Sequence, residues 1–180
     1  MSKNSVKPFE LLTEYERLSL RHSVEVQSVV TKDQWSGVGF QVDETRYVIA
    51  IDKIIEVLIL TEITKIPGIS QWVLGLGNIR GNLLPIVDLK SYLFKKPTKT
   101  TAHTRMVVIQ QIGGHVGLVV DEVFGQKHFS KKQMLKKSDS SNKESLKYSE
   151  VAYKEDENIW NVLQDDVLVN DSSFQNAAAI

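Results

Sequence analysis

The chain has 180 residues, and its 22 Lys plus Arg are balanced by 22 Asp plus Glu. A chain of this length suits one compact domain that buries roughly 70% of the surface its unfolded form exposes. The balanced charge gives no global field toward nucleic acid or an acidic membrane, and the absence of cysteine excludes disulfides, thiolate nucleophiles and Cys-based metal sites. The opening residues lack the apolar core and small-residue cleavage site of a signal peptide, and no stretch approaches the ~20 apolar residues of a membrane span. A soluble, cytoplasmic protein is expected.

In chain order, Pro8 stands at a first helical turn, and Phe9, Leu11, Leu12, Tyr15 and Leu18 recur at three- and four-residue intervals. This predicts a short amphipathic helix within an N-terminal extension, residues 1–34. Packing on the domain's own surface is favoured over binding a partner, and both readings stay open. From Trp35 the pattern becomes β-like: Val38 to Val42, Tyr47 to Ile51 and Ile54 to Leu60, with a turn at Asp43-Glu44-Thr45. Asp88 to Phe94 reads as one or two helical turns. Arg105 to Ile112 and His115 to Val123 flank Gly113-Gly114, which supplies the positive backbone angles of a tight hairpin. Val151 to Lys154 and Asn158 to Leu163 bracket the acidic turn Glu155-Asp156-Glu157. The polar stretch from Lys136 to Lys147 is too poor in apolar residues to offset its ordering entropy and is expected to be a mobile loop, as is a tail over 170–180. Many short strands with brief helices predict a mainly β fold, a barrel or a sandwich, over residues 35–169.

Catalytic chemistry is hard to find. Gly75-Leu76-Gly77-Asn78-Ile79-Arg80-Gly81 looks like a dinucleotide fingerprint, but three residues separate its last two glycines where two are required, and Pro85 follows where a helix should run. His22, His103, His115 and His128 have no metal-ligand spacing. Asp121 and Glu122 are neighbours on a predicted strand and point to opposite faces, which argues against joint acid and base work. No Gly-x-Ser-x-Gly elbow is present. Lys127, Lys131, Lys132, Lys136 and Lys137 form a basic run, read as a solvated edge rather than a nucleic-acid site. No cofactor and no metal are expected.

The segment from Gly75 to Leu89, GLGNIRGNLLPIVDL, remains unusual. Gly75 and Gly77 permit close backbone approach within a strand, and Gly81-Asn82 is read as a turn that leaves Arg80 beside the bend with its planar fork available. An arginine lying over its own barrel is the alternative reading.

At these residues the sequence resembles the CheW-like domain family. The order Gly75, Gly77, Asn78, Arg80, Gly81, Pro85, Asp88 and Leu89 matches the family's central signature. Three further blocks agree: VGFQVDETRYVIAIDKIIEVL, the Ile66-Pro67-Gly68 turn and GLVVDEVFG from Gly117 to Gly125. Within the family, PFELL at Pro8 to Leu12, Trp35-Ser36-Gly37, Trp72-Val73 and His128-Phe129 resemble the branch that serves type IV pilus twitching motility.

The resemblance implies two small SH3-like β-barrels sharing a hydrophobic core. It also implies a non-catalytic adaptor that joins the signalling domain of a methyl-accepting chemoreceptor to the regulatory domain of a CheA-type histidine kinase. Receptor contact would fall on Ile54, Glu56, Val57 and Arg80, with Val107 or Val108, and kinase contact on exposed apolar barrel edges. Glu150-Val151 and Leu163-Gln164-Asp165 depart from the family pattern, as does the long polar loop, so the C-terminal part of the kinase-facing surface is the part in doubt. A flagellar adaptor is the alternative within the family. A small-ligand sensor or enzyme using an inter-barrel pocket, and a nucleic-acid binder, are the alternatives of other classes.

Overall fold

The computed structural model describes residues 34–111, 113–136 and 147–177. The predicted N-terminal helix and the loop over 137–146 lie outside the described residues. By its internal contacts the chain divides into Met1–Gln34 and Trp35–Ile180. All described residues except Gln34 belong to the second unit.

Two six-stranded sheets make up this second unit. The strands are β1 (Gln34–Val42), β2 (Thr45–Ala50), β3 (Ile54–Ile59), β4 (Ile63–Thr64), β5 (Val73–Ile79), β6 (Asn82–Asp88), β7 (Arg105–Gln111), β8 (Gly114–Val120), β9 (Glu122–Ser130), β10 (Met134–Lys136), β11 (Val151–Glu155) and β12 (Asn158–Val162). The first sheet runs β10-β11-β12-β2-β1-β9, and the second β3-β7-β8-β6-β5-β4. Among the described residues, three short α-helices accompany the sheets: α1 (Leu89–Phe94), α2 (Asp165–Asn170) and α3 (Ser172–Gln175).

Turn chemistry sets the hairpins. Asp43 and Asp156 take left-handed φ values of 57° and 55°, which Asp tolerates, and close the β1–β2 and β11–β12 links. The glycine hairpin forms with Gln111 opposite Gly114, and Gly113 supplies φ 83°. Two pairings are parallel, β6 with β8 and β12 with β2.

The apolar run expected as one strand from His115 to Val123 is broken at Asp121, where the chain leaves the second sheet for the first. Side-chain and backbone bonds hold that crossing. The Asp121 amide donates to Gln41 O at 3.0 Å, and Asp121 Oδ2 accepts from the Asp43 amide at 2.6 Å. Lys90 on α1 reaches Asp43 at 3.0 Å and Asp121 at 3.4 Å.

Alternation along each strand produces three apolar clusters. The central one joins Phe40, Val42, Tyr47 and Ile49 of the first sheet to Val107, Ile109, Leu118 and Val120 of the second. Each sheet then curls round a cluster of its own. Met106, Val108 and Val119 with Ile79, Leu84 and Ile86 fill the second, and Val48, Phe129, Tyr153 and Trp160 fill the first. Burial of such side chains contributes about 1.5–3 kcal/mol each before entropy is subtracted.

Over residues 171–177 the segment expected as a flexible tail carries α3 and packs back on the domain. Phe174 on α3 is buried against Trp72 and Tyr92, with ring centroids at 5.5 and 5.1 Å. The Ser70 amide donates to Ala177 O at 2.8 Å. A single aromatic in a polar sequence carries little periodic signal, but its burial offsets the cost of ordering the turn.

Candidate protein-contact surface

Strand β3 stands at the edge of the second sheet and pairs on one side only, with β7. The pairing register shifts between Ile54 and Glu56, while exposure alternates regularly along the strand. Ile55, Val57 and Ile59 then point outward, and Ile59 is 71% exposed. Edge position and an apolar outer face together make a surface fit for protein contact. Val167 on α2 adds a further exposed apolar side chain, and Lys53, preceding β3, meets Asp165 of α2 at 3.8 Å. Burial pushes the Asp165 carboxyl up from its usual value, and Lys53 partly opposes that shift.

The other half of the surface is the β5–β6 hairpin. Its two-residue turn is Arg80-Gly81, because Ile79 pairs with Asn82. The turn therefore falls one residue earlier than expected. Arg80 occupies the first corner with φ 52°, and Gly81 follows at φ 86°. Asn78 Oδ1 accepts from the Gly81 amide at 3.0 Å, which stabilises this strained pair of corners. Holding the bend itself, Arg80 projects its side chain outward, 78% exposed, and reaches Glu56 on β3 at 2.9 Å.

The remaining signature residues support the hairpin. A Cβ at Gly75, where φ is 141°, would lie 2.1 Å from Thr64 O, so only glycine lets β4 approach β5. A Cβ at Gly77 would crowd Ile86 at 3.1 Å. Pro85 stands one residue before β6 begins its ladder with β8 at Ile86, so its missing N–H costs no bond there. Asp88 caps α1, with Oδ1 accepting from the Ser91 amide at 3.0 Å and Oδ2 from the Thr98 amide at 2.8 Å.

Two expected contact residues stand apart from the rest. Val107 and Val108 are each 1% exposed. The inner strand β7 has both faces covered, Val107 by the shared cluster and Val108 by the second sheet's own. Both are buried, so the expected direct contact is not available to them; in the ladder Val107 pairs with Val57 and Val108 with Glu56 of β3. Sequence reasoning missed Ile55, Ile59 and Val167. In Ile54 to Ile59 only Glu56 is polar, so the sequence does not mark which face of the strand is outward.

Among the described residues, no group of three His, Cys, Asp or Glu side chains could hold a metal ion, and no helix is long and apolar enough to cross a membrane. His103 faces Glu122 at 3.7 Å, and His128 shares a hydrogen bond with Ser36 at 2.8 Å.

Comparison with known proteins gives a family match, the CheW-like domain, over residues 36–173. The chain is 35% identical over 123 residues to Protein PilI of Pseudomonas aeruginosa, covering 68% of this chain and 69% of that protein. It is 29% identical over 83 residues to the chemotaxis protein CheW of Bacillus subtilis, covering 46% of this chain and 53% of that one. In three dimensions it is similar to the scaffolding protein TtCheW from Thermoanaerobacter tengcongensis, with a TM-score of 0.67 and 21% identity, covering 79% of this chain and 96% of that chain. That last likeness supports the fold of two sheets around a shared core. With the glycine, Asn-x-Arg-Gly, Pro and Asp-Leu positions all serving one hairpin and the helix after it, sequence and architecture agree that this chain belongs to the CheW-like domain family.

Proposed function

We propose that this CheW-family adaptor couples a methyl-accepting chemoreceptor to a CheA-type histidine kinase in the chemosensory system that controls type IV pilus twitching motility. Family membership and the likeness to PilI support the adaptor and pilus readings. The observation that carries receptor docking is the joined surface of edge strand β3 and the Arg80 turn, where an outward apolar row adjoins an exposed guanidinium. Apolar side chains would supply contact area, and Arg80 with Glu56 would set orientation. The partners hold the chain at membrane-associated receptor arrays from the cytoplasmic side, without insertion of its own and without nucleic acid.

Titration calorimetry with a receptor signalling-tip fragment and a kinase regulatory-domain fragment tests this reading. Binding to both is expected, and binding to neither would sink it. The motility of a deletion strain separates the pilus system from a flagellar one: loss of twitching with swimming intact is expected.

A further inference from the structure

Beside α1 and α3 lies a cavity of about 420 Å³ that shares no residue with the β3 and Arg80 surface. Its walls mix rings, hydroxyls and charge. Trp72 and Tyr92 meet edge to face at 5.0 Å, Tyr92, Tyr148 and Ser173 bring hydroxyl groups, and Lys95 and Lys147 bring ammonium groups. The volume is that of a small-molecule site.

The two lysines differ. Asp171 holds Lys147 at 2.6 Å and neutralises it. Lys95 is exposed and, among the described residues, has no carboxylate partner. It takes the left-handed corner that ends α1, with φ 56° and ψ 27°, where glycine or asparagine is the usual cap. Its ammonium donates to Tyr92 O at 3.0 Å and lies 5.5 Å from the centroid of the Tyr92 ring, so the free charge is already held in place. The hydroxyl protons are unequally committed as well. Tyr148 and Ser173 both donate to Asp171. Tyr92, which is buried, stands 2.8 Å from the Tyr148 oxygen and 3.0 Å from the Ser173 oxygen, and its one proton serves only one of them at a time. Of the three hydroxyls, Tyr92 alone can turn its proton to a ligand without abandoning a carboxylate.

We propose that this cavity binds a small aromatic carboxylate, with its ring beside Trp72 and Tyr92 and its charge on Lys95. The proposal goes beyond the coupling role and does not rest on it. Charge selects the class. With Lys147 neutralised, Lys95 leaves the walls one positive charge, which matches a monoanion and leaves half the charge of a phosphate dianion unpaired. The two rings supply flat apolar surface that suits an aromatic body. Such a ligand would touch α1 and α3 together and so fasten the C-terminal turn to the second sheet.

The test is titration of the full chain with benzoate near neutral pH, followed by proton–nitrogen NMR. Saturable shifts are expected at the Trp72 indole N–H and the Tyr92 and Ser173 amides, with a Kd of about 1 mM. Benzamide, the neutral isostere, should bind about fivefold or more weakly, the scale of losing a charge-assisted hydrogen bond. Lys95→Gln should weaken benzoate by a similar factor, and Lys95→Arg, which keeps the charge, should restore binding to within about twofold. The comparison of benzoate with benzamide uses the unmodified chain and so decides the matter even if a variant fails to fold. Absence of saturable shifts up to about 10 mM benzoate, shifts confined to other residues, equal affinity for benzamide, benzoate binding indifferent to Lys95, or tighter binding of inorganic phosphate at the same residues would each overturn the proposal.

Discussion

Arg80 Nη2 lies 2.9 Å from Glu56 Oε2, so the tip of the β5–β6 hairpin touches edge strand β3 although β7 and β8 stand between them in the sheet. Such a contact requires the sheet to curl upon itself. The pair thus sits on the outside of a fold already determined by the Met106, Val108 and Val119 cluster beneath.

Because the Arg80 side chain is largely exposed, the ion pair contributes little to stability, about 0–1 kcal/mol. Arg80→Ala is therefore expected to leave the urea unfolding midpoint nearly unchanged while weakening receptor-fragment binding about tenfold or more. Calorimetry and urea melts on one preparation check both halves. An unfolded Arg80→Ala chain would make the arginine structural instead.

Gly75→Ala should behave in the opposite way. The added methyl would meet Thr64 O at 2.1 Å in a backbone region that L-residues rarely adopt. A loss of about 2–4 kcal/mol is expected in urea unfolding, with β4 detached from β5. Faster amide exchange at Ile63 and Thr64, measured by NMR, would locate the damage.

The Lys90 knot predicts a pH window. Hydrogen bonds from Lys90 and Lys96 hold the Asp43 carboxyl below its usual value, so its stabilisation is present above the unfolded value of 3.8 and is lost as pH falls through the lowered one. Burial works against the charge of Lys90, but Asp43 and Asp121 outweigh it and raise Lys90 above 10.5. That contribution is complete below 10.5 and fades as pH rises through the raised value. Lys90→Met should cost about 1–3 kcal/mol near neutral pH and should flatten the acid limb of a Tm-against-pH curve.

At the C-terminal end, Lys147 first and Ser173 next hold the Asp171 carboxyl well below the usual range, while burial pushes the Tyr148 hydroxyl up. Tyr148 donates to Asp171 at 2.9 Å. These bonds anchor the turn that buries Phe174 against Trp72. Phe174→Ala should destabilise the domain by about 3–5 kcal/mol, and Trp72 fluorescence should shift to the red as its stacked neighbour is removed.

Legibility in the sequence followed the local physics. Gly113 and Asp43 announce their hairpins because turn chemistry acts over a few residues, and the alternation of Phe40 with Val42 marks a face directly. Non-local facts were harder. Nothing within the apolar run around Asp121 says that the chain changes sheets there, since the residues answering Asp121 are Gln41, Asp43 and Lys90. Val107 and Val108 were expected at the surface only through the family resemblance, and β7 is covered on both faces. For Arg80, glycine chemistry suggested a Gly81-Asn82 bend, whereas the Asn78 side chain stabilises a turn one residue earlier. The Arg46 guanidinium lies over Phe124 and Trp160, positions that no sequence spacing could connect.

The strand order also bears on how the chain is made. Strands β3 to β8 are consecutive in sequence and complete the second sheet, whereas the first sheet pairs β2 with β12 across more than a hundred residues. During synthesis, the sheet bearing Arg80 can assemble as soon as Val120 has left the ribosome. The sheet bearing Arg46 must wait for Trp160. A chain clipped before Trp160 therefore keeps every strand of the second sheet but loses the β12 partner of β2 in the first.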